Sequence, residues 1–276
     1  MNKVKIHPLF WLVLGAGIVT GHFYEVLMLF SIVFIHEMGH GLAAHFFHWR
    51  IEKIELLPFG GVAQTDEHGN RSLAEECIVI LAGPAQHVLM WAVGFLLYYF
   101  SVWDAETYHL FVMHNTTILV FNLIPVWPLD GGRLLRVLCS FAYPYKVAIM
   151  KSLLFSSMLL GAIGLWSAIF YPTHLNLWTV LVFLGFAHFQ EWKQRYYLYM
   201  RFLMGRYYDS VKPHLRLEPI TVDSEEKLND VLARFHRGVY HTVIVRNHMR
   251  KTVYEEKDLL YAFFVERKIG RPVGEL

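Results

Sequence analysis

The sequence predicts an all-α polytopic membrane protein of six transmembrane helices, one of them interrupted. A short membrane-associated β-hairpin and a small α/β cytosolic domain at the C-terminus complete it. Three observations predict this class. Hydrophobic residues make up 55% of the 276-residue chain and charged residues 17%, with a mean hydropathy of +0.35, a balance typical of membrane-embedded chains. Apolar runs long enough to cross the hydrocarbon core, which takes roughly 20 helical residues, recur along residues 1–190. Lysine and arginine are absent from every second connection, at 21–23, 101–107 and 171–174. The net charge of +2 gives no reason to expect nucleic acid as a partner, and Cys77 and Cys139 are too few for a disulfide scaffold.

Residues 1–7 carry Lys3 and Lys5 and precede an apolar run, 8–20. No small-residue cleavage site follows, so this run is a first span rather than a signal peptide. Further spans cover 24–47, 74–100, a stretch beginning near 108, 147–171 and 175–189. The other set of connections holds Arg50, Lys53, Arg71, Lys146, Lys151, Lys193, Arg195, Arg201 and Arg206. Positive charge collects on the cytosolic side, so both termini are expected in the cytoplasm.

The second span contains His36-Glu37-Met38-Gly39-His40. In a helix the two histidines lie one turn apart on one face, within reach of a single metal ion. Glu37, one residue round, is placed to take a proton from a water at that ion without being a ligand. Gly39 and Gly41 leave room for another backbone. Chance alone yields this five-residue pattern in soluble helices, but ionisable groups at membrane depth are costly and mark a functional site.

Two stretches break the helical pattern. In 50–66, strand-forming residues flank Pro58-Phe59-Gly60-Gly61, which predicts a hairpin just past the metal helix on the cytosolic side. Around Phe59 and Gly60 its edge offers an extended substrate a strand to pair with; the alternative is an ordinary loop. In 122–133, Pro125, Pro128 and Gly131-Gly132 interrupt the fourth span, and such backbone survives at membrane depth only inside protein or beside a wet cavity. Catalytic zinc takes three protein ligands and keeps one open position. Glu25 is roughly 16 Å along the helix from His36, Asp104 and Glu106 lie outside the membrane, and Glu75, Glu76 and Glu191 sit at cytosolic helix ends. Asp130 remains as the third ligand, with helix capping over 131–140 as its alternative role.

Other polar residues in the spans, His87, His114, His188, Gln86 and Asn115, are expected to make hydrogen bonds between helices. His45 and His48 are displaced from the metal face. Residues 191–210 form an aromatic, basic interfacial helix linking the membrane domain, 1–190, to a cytosolic domain, 211–276. In that domain 219–222 and 241–245 read as strands, and 224–236 and 256–266 as helices.

The paired motifs, His36-Glu37-Met38-Gly39-His40 and Asn122-x-x-Pro125-x-x-Pro128-Leu129-Asp130-Gly131, resemble the site-2 protease family of intramembrane zinc metalloproteases. Leu81-Ala82-Gly83-Pro84 in the third span also fits, and the likeness to members from endospore-forming bacilli runs through essentially the whole chain. The resemblance implies one catalytic Zn2+ on His36, His40 and Asp130, with Glu37 as general base. It implies that Asn122, Pro125 and Pro128 hold substrate near the metal. It further implies a membrane-associated sporulation sigma-factor precursor as substrate, inhibitory membrane proteins as partners, and a place in the membrane around the forespore on the mother-cell side.

The tail resembles one cystathionine-β-synthase-type (CBS) regulatory module. Such modules bind ATP or another adenine nucleotide in pairs, and Thr221 and Asp258 match nucleotide-contacting positions. A single copy implies either homo-oligomer formation through this domain or loss of the ligand. Two other classes compete with the protease. A catalytically silent binding partner would lack Glu37 or a ligand; a metal transporter would need access to the His36, His40 and Asp130 site from both faces.

Overall fold

The structure, a computed structural model, describes residues 4–6, 15, 18–49, 51–57, 60–65, 71–208, 216–247 and 250–276. Most of the predicted first span, Phe59 of the hairpin tip and the stretch 67–70 lie outside these residues. The chain forms two compact units.

Among the described residues, the first unit includes the helices α1 (Phe23–Phe46), α2 (Leu73–Tyr99) and α3 (Ala105–Leu123). α1 stops at a left-handed residue, His48 (φ 55°), where the Trp49 and His48 N–H groups donate to the Ala44 and His45 carbonyls. Those two bonds satisfy carbonyls that the helix end would otherwise leave open. α2 ends the same way at Ser101 (φ 55°), with Val102 and Ser101 donating to Leu97 and Tyr98. α3 starts at Asp104, whose carboxylate accepts from the Thr107 N–H at 2.8 Å. Hydrogen bonding to Thr107 holds that carboxyl below the usual carboxylate range.

Met28 and Ile32 of α1, Met90 of α2 and Phe111 of α3 pack into one apolar core. A Cβ at Gly39 would lie 2.5 Å from the Ala82 carbonyl oxygen, so α1 and α2 approach backbone to backbone there. Gly41 faces open space, and the expected close approach falls to Gly39 alone. On the outside, Phe34, Ile35 and Met38 of α1 and Val88, Leu89 and Val93 of α2 are exposed, as suits side chains that meet lipid.

A three-stranded sheet joins this unit: β1 (Val4–Ile6), β2 (Ile51–Leu57) and β3 (Gly60–Thr65), in the order β1-β2-β3. β2 and β3 form the predicted antiparallel hairpin, with Gly60 opposite Leu57. β1 pairs parallel to β2, an addition that a charged three-residue segment does not announce in sequence. Among the described residues β3 is an edge strand, in contact with α1.

The predicted interruption is present. α3 stops at Leu123, residues 124–129 are irregular with a cis Trp127–Pro128 bond, and α4 (Asp130–Ala142) begins at Asp130. Gly131 abuts the Leu123 carbonyl so closely that no Cβ fits, which seats the start of α4 against the end of α3.

The second unit holds the rest of α4, α5 (Tyr145–Phe170), α6 (Leu175–Tyr208) and the C-terminal elements. α6 runs 34 residues without a break, so the predicted sixth span and interfacial helix are one rod. Its sheet comprises β4 (Arg216–Asp223), β5 (Val239–Asn247) and β6 (Arg250–Glu255), with β4 parallel and β6 antiparallel to β5. Pro219 is tolerated because β4 is an edge strand. Helices α7 (Leu228–Leu232) and α8 (Glu256–Phe264) complete it. The expected helix over 224–236 shrinks to α7 because Asp223 ties Glu225 and Glu226 into a turn. Phe202 and Leu203 of α6, Ile149 and Leu153 of α5, Val243 and Leu260 share one core, so these C-terminal elements are packed onto α5 and α6. Arg136 of α4 pairs with Glu191 of α6 at 2.7 Å and lies over the Trp127 ring.

Among the described residues, three helices, α1, α2 and α5, are long and apolar enough to cross a membrane.

Candidate metal centre

His36 and His40 sit one turn apart on the buried face of α1, and Asp130 begins α4. Their donor atoms meet in a near-equilateral triangle. His36 Nε2 lies 3.1 Å and His40 Nε2 3.0 Å from Asp130 Oδ2, and the two nitrogens are 3.1 Å apart. Tetrahedral zinc with bonds near 2.05 Å sets neighbouring donors about 3.3 Å apart, so the triangle already has the size such an ion requires.

Proton bookkeeping tests the fit more sharply. His40 Nδ1 lies 2.8 Å from the Val79 carbonyl oxygen, which can only accept, so Nδ1 carries the hydrogen. In the neutral ring Nε2 then presents a lone pair towards Asp130 Oδ2, itself an acceptor. His36 Nδ1 faces His87 Nε2 at 3.0 Å, and His87 Nδ1 faces Asn115 Oδ1 at 2.6 Å. With both rings neutral, lone pairs converge on the carboxylate oxygen, an arrangement that a divalent cation would complete. Two neutral imidazoles and one carboxylate are a donor set that suits zinc. Arg133 lies 3.8 Å from Oδ1, the other carboxylate oxygen of Asp130.

Gly83 of α2 faces the two rings. A Cβ there would overlap the His40 imidazole and come within 2.9 Å of His36 Cε1, so glycine is required by the site itself. Glu37 is half-buried beside His36 on α1.

The remaining predicted positions are dispersed. Asn122 closes the last turn of α3, and Pro125 and Pro128 are half-buried in the irregular segment. Gly60 opens β3, while Phe59 is outside the described residues. Thr221 is exposed on β4. Asp258 is also exposed, and it accepts from the Glu255 N–H at 3.0 Å in a capping box that starts α8. His45 and His48 are exposed, away from the triangle, and His188 bonds Ser157 at 2.8 Å. Cys77 and Cys139 are not joined in a disulfide. His87 and Asn115 do bond between helices, as expected, but the bond ends on a member of the triangle. The available signal was spacing, since His87 follows Gly83 by one helical turn.

Two histidines from an apolar helix and an aspartate that begins α4 form a buried cluster able to hold a metal ion. Peptidase family M50 matches the chain over residues 24–104 and 101–161. Stage IV sporulation protein FB of Bacillus subtilis is 39% identical over 275 residues, covering 99% of this chain and 96% of that protein. A zinc metalloprotease of Methanocaldococcus jannaschii is 34% identical over 178 residues, 59% of this chain and 52% of that one. Among solved structures, the site-2 protease from Methanocaldococcus jannaschii aligns with a TM-score of 0.54 at 30% identity, over 69% of this chain and 92% of that one. The chain belongs to Peptidase family M50, the site-2 proteases, and is an intramembrane zinc metalloprotease.

Proposed function

We propose that His36, His40 and Asp130 hold one zinc ion and that Glu37 is the general base of peptide hydrolysis. The observation that carries this reading is the triangle of donor atoms, 3.0–3.1 Å on each side, at a buried point. When bound, zinc supplies Lewis acidity that lowers the pKa of water and polarises the scissile carbonyl. Glu37 takes the proton as the water oxygen adds to the carbonyl carbon. As the carbon–nitrogen bond breaks, Glu37 returns that proton to the departing amine. A helical substrate hides its carbonyls in its own hydrogen bonds, so it must be extended before attack. The edge of β3 beside α1, beginning at Gly60, suits such a strand, and the family resemblance gives Asn122, Pro125 and Pro128 the role of holding substrate.

The near full-length likeness to a sporulation protein supports a membrane-associated sigma-factor precursor as substrate, with inhibitory membrane proteins as partners. It also supports a location in the membrane around the forespore, on the mother-cell side. Segregation of Lys and Arg supports six spans with both termini in the cytoplasm. The C-terminal α/β unit is read as a CBS-type module that pairs with a second chain and takes an adenine nucleotide near Thr221. Asp258 already serves as a helix cap, which weakens its assignment to that ligand.

Co-expression with candidate membrane-bound sigma-factor precursors tests the reading. Glu37→Gln should reduce cleavage by about 10²–10⁴-fold while the protein still carries zinc. Cleavage at the wild-type rate would exclude Glu37 as the base. Loss of zinc together with activity would make it a structural residue of the site.

A further inference from the structure

We propose that His87 and Asn115 form a positioning relay that fixes the tautomer of His36 and thereby creates one of the three metal donors. The inference rests on the zinc reading above. Both residues are fully buried, and they reach His36 of α1 from α2 and α3 respectively.

The direction of the relay follows from donors and acceptors. Asn115 Nδ2 donates to the His87 carbonyl at 3.0 Å, which turns Oδ1 towards His87 Nδ1 at 2.6 Å. An amide oxygen only accepts, so His87 Nδ1 carries the hydrogen and His87 Nε2 keeps its lone pair. That lone pair lies 3.0 Å from His36 Nδ1, which must supply the hydrogen. His36 Nε2 is therefore left as a lone pair aimed into the triangle. Without the relay the hydrogen is free to sit on Nε2 and bond Asp130 Oδ2, 3.1 Å away. That arrangement closes the site on itself and occupies two of the three ligand atoms. The relay opposes this self-pairing. Partners of metal-bound histidines commonly act this way, and losing one costs about 10–100-fold in affinity.

The test uses the purified full-length protein, with zinc affinity measured by competition against a chromophoric chelator and the visible spectrum recorded after cobalt loading. His87→Leu should weaken zinc by about 10–100-fold and alter the cobalt bands. His87→Gln, whose amide oxygen can accept from His36 Nδ1, should recover affinity to within about threefold of wild type. Equal losses in the two variants, or wild-type affinity in His87→Leu, would overturn the relay. If His87→Leu does not fold, Asn115→Asp against Asn115→Leu makes the same contrast, since only the aspartate keeps an acceptor for His87 Nδ1. Wild-type protein that binds no zinc would instead bring down the zinc reading, and the relay with it.

Discussion

Asp130 and Glu256 are both buried carboxylates facing histidines, at 6% and 1% exposure, yet their surroundings differ in the supply of protons. Glu256 Oε1 receives the Arg206 guanidinium, the His241 N–H at 2.9 Å and His241 Nδ1 at 2.7 Å. His241 Nε2 accepts from the His236 N–H, which leaves the ring hydrogen on Nδ1, pointing at the carboxylate. Arg206 spends a second donor on the Val239 carbonyl. Glu256 Oε1 thus has a donor on every side shown, and the His241 ring lies stacked on Phe235. Around Asp130 the opposite holds, because Val79 and His87 engage the Nδ1 atoms and lone pairs face the carboxylate. A cluster whose carboxylate oxygen is met by donors joins parts of a fold, whereas one whose carboxylate oxygen faces two ring lone pairs, with Arg133 only at 3.8 Å on the other oxygen, has the donor set of a cation site.

The sharpest way to break this contrast is to remove each carboxylate and follow zinc and stability separately. Asp130→Ala should drop bound zinc to background and cleavage by at least about 10³-fold, read by metal analysis and by processing of a membrane-tethered substrate. Next in size, Glu256→Gln should cost about 3 kcal/mol in unfolding free energy, because a buried guanidinium loses its counter-charge. It should leave zinc per folded chain unchanged, and a loss of zinc there would dissolve the distinction between the clusters. Gly83→Ala should weaken zinc roughly tenfold by pushing on the His40 ring, measured by chelator competition. Smallest of all, Asp258→Ala should cost about 0.5–1 kcal/mol through loss of the capping box at α8, measured by thermal unfolding.

What was legible in sequence follows the range of the interactions involved. His36 and His40 were legible because one helical turn fixes their relation whatever surrounds them. Asp130 was legible by elimination, since few carboxylates fall at that depth and a proline-broken span must be sheltered. The hairpin declared itself through Gly60-Gly61 between strand-forming residues. His87 and Asn115 were not legible as parts of the site, because their partners are 51 and 28 residues away in sequence and polar residues in apolar helices usually have ordinary bonds. β1 was hidden for a related reason, its three residues being strand only by virtue of pairing with β2. The unbroken α6 was obscured by composition, which changes from apolar to aromatic and basic near Glu191 while the helix continues.

Metal content of the purified full-length chain tests the central claim most directly. The account predicts one zinc per chain, retained through gel filtration and removed only by strong chelators. A wild-type protein that is folded and free of zinc, and that remains so when zinc is supplied, would contradict it.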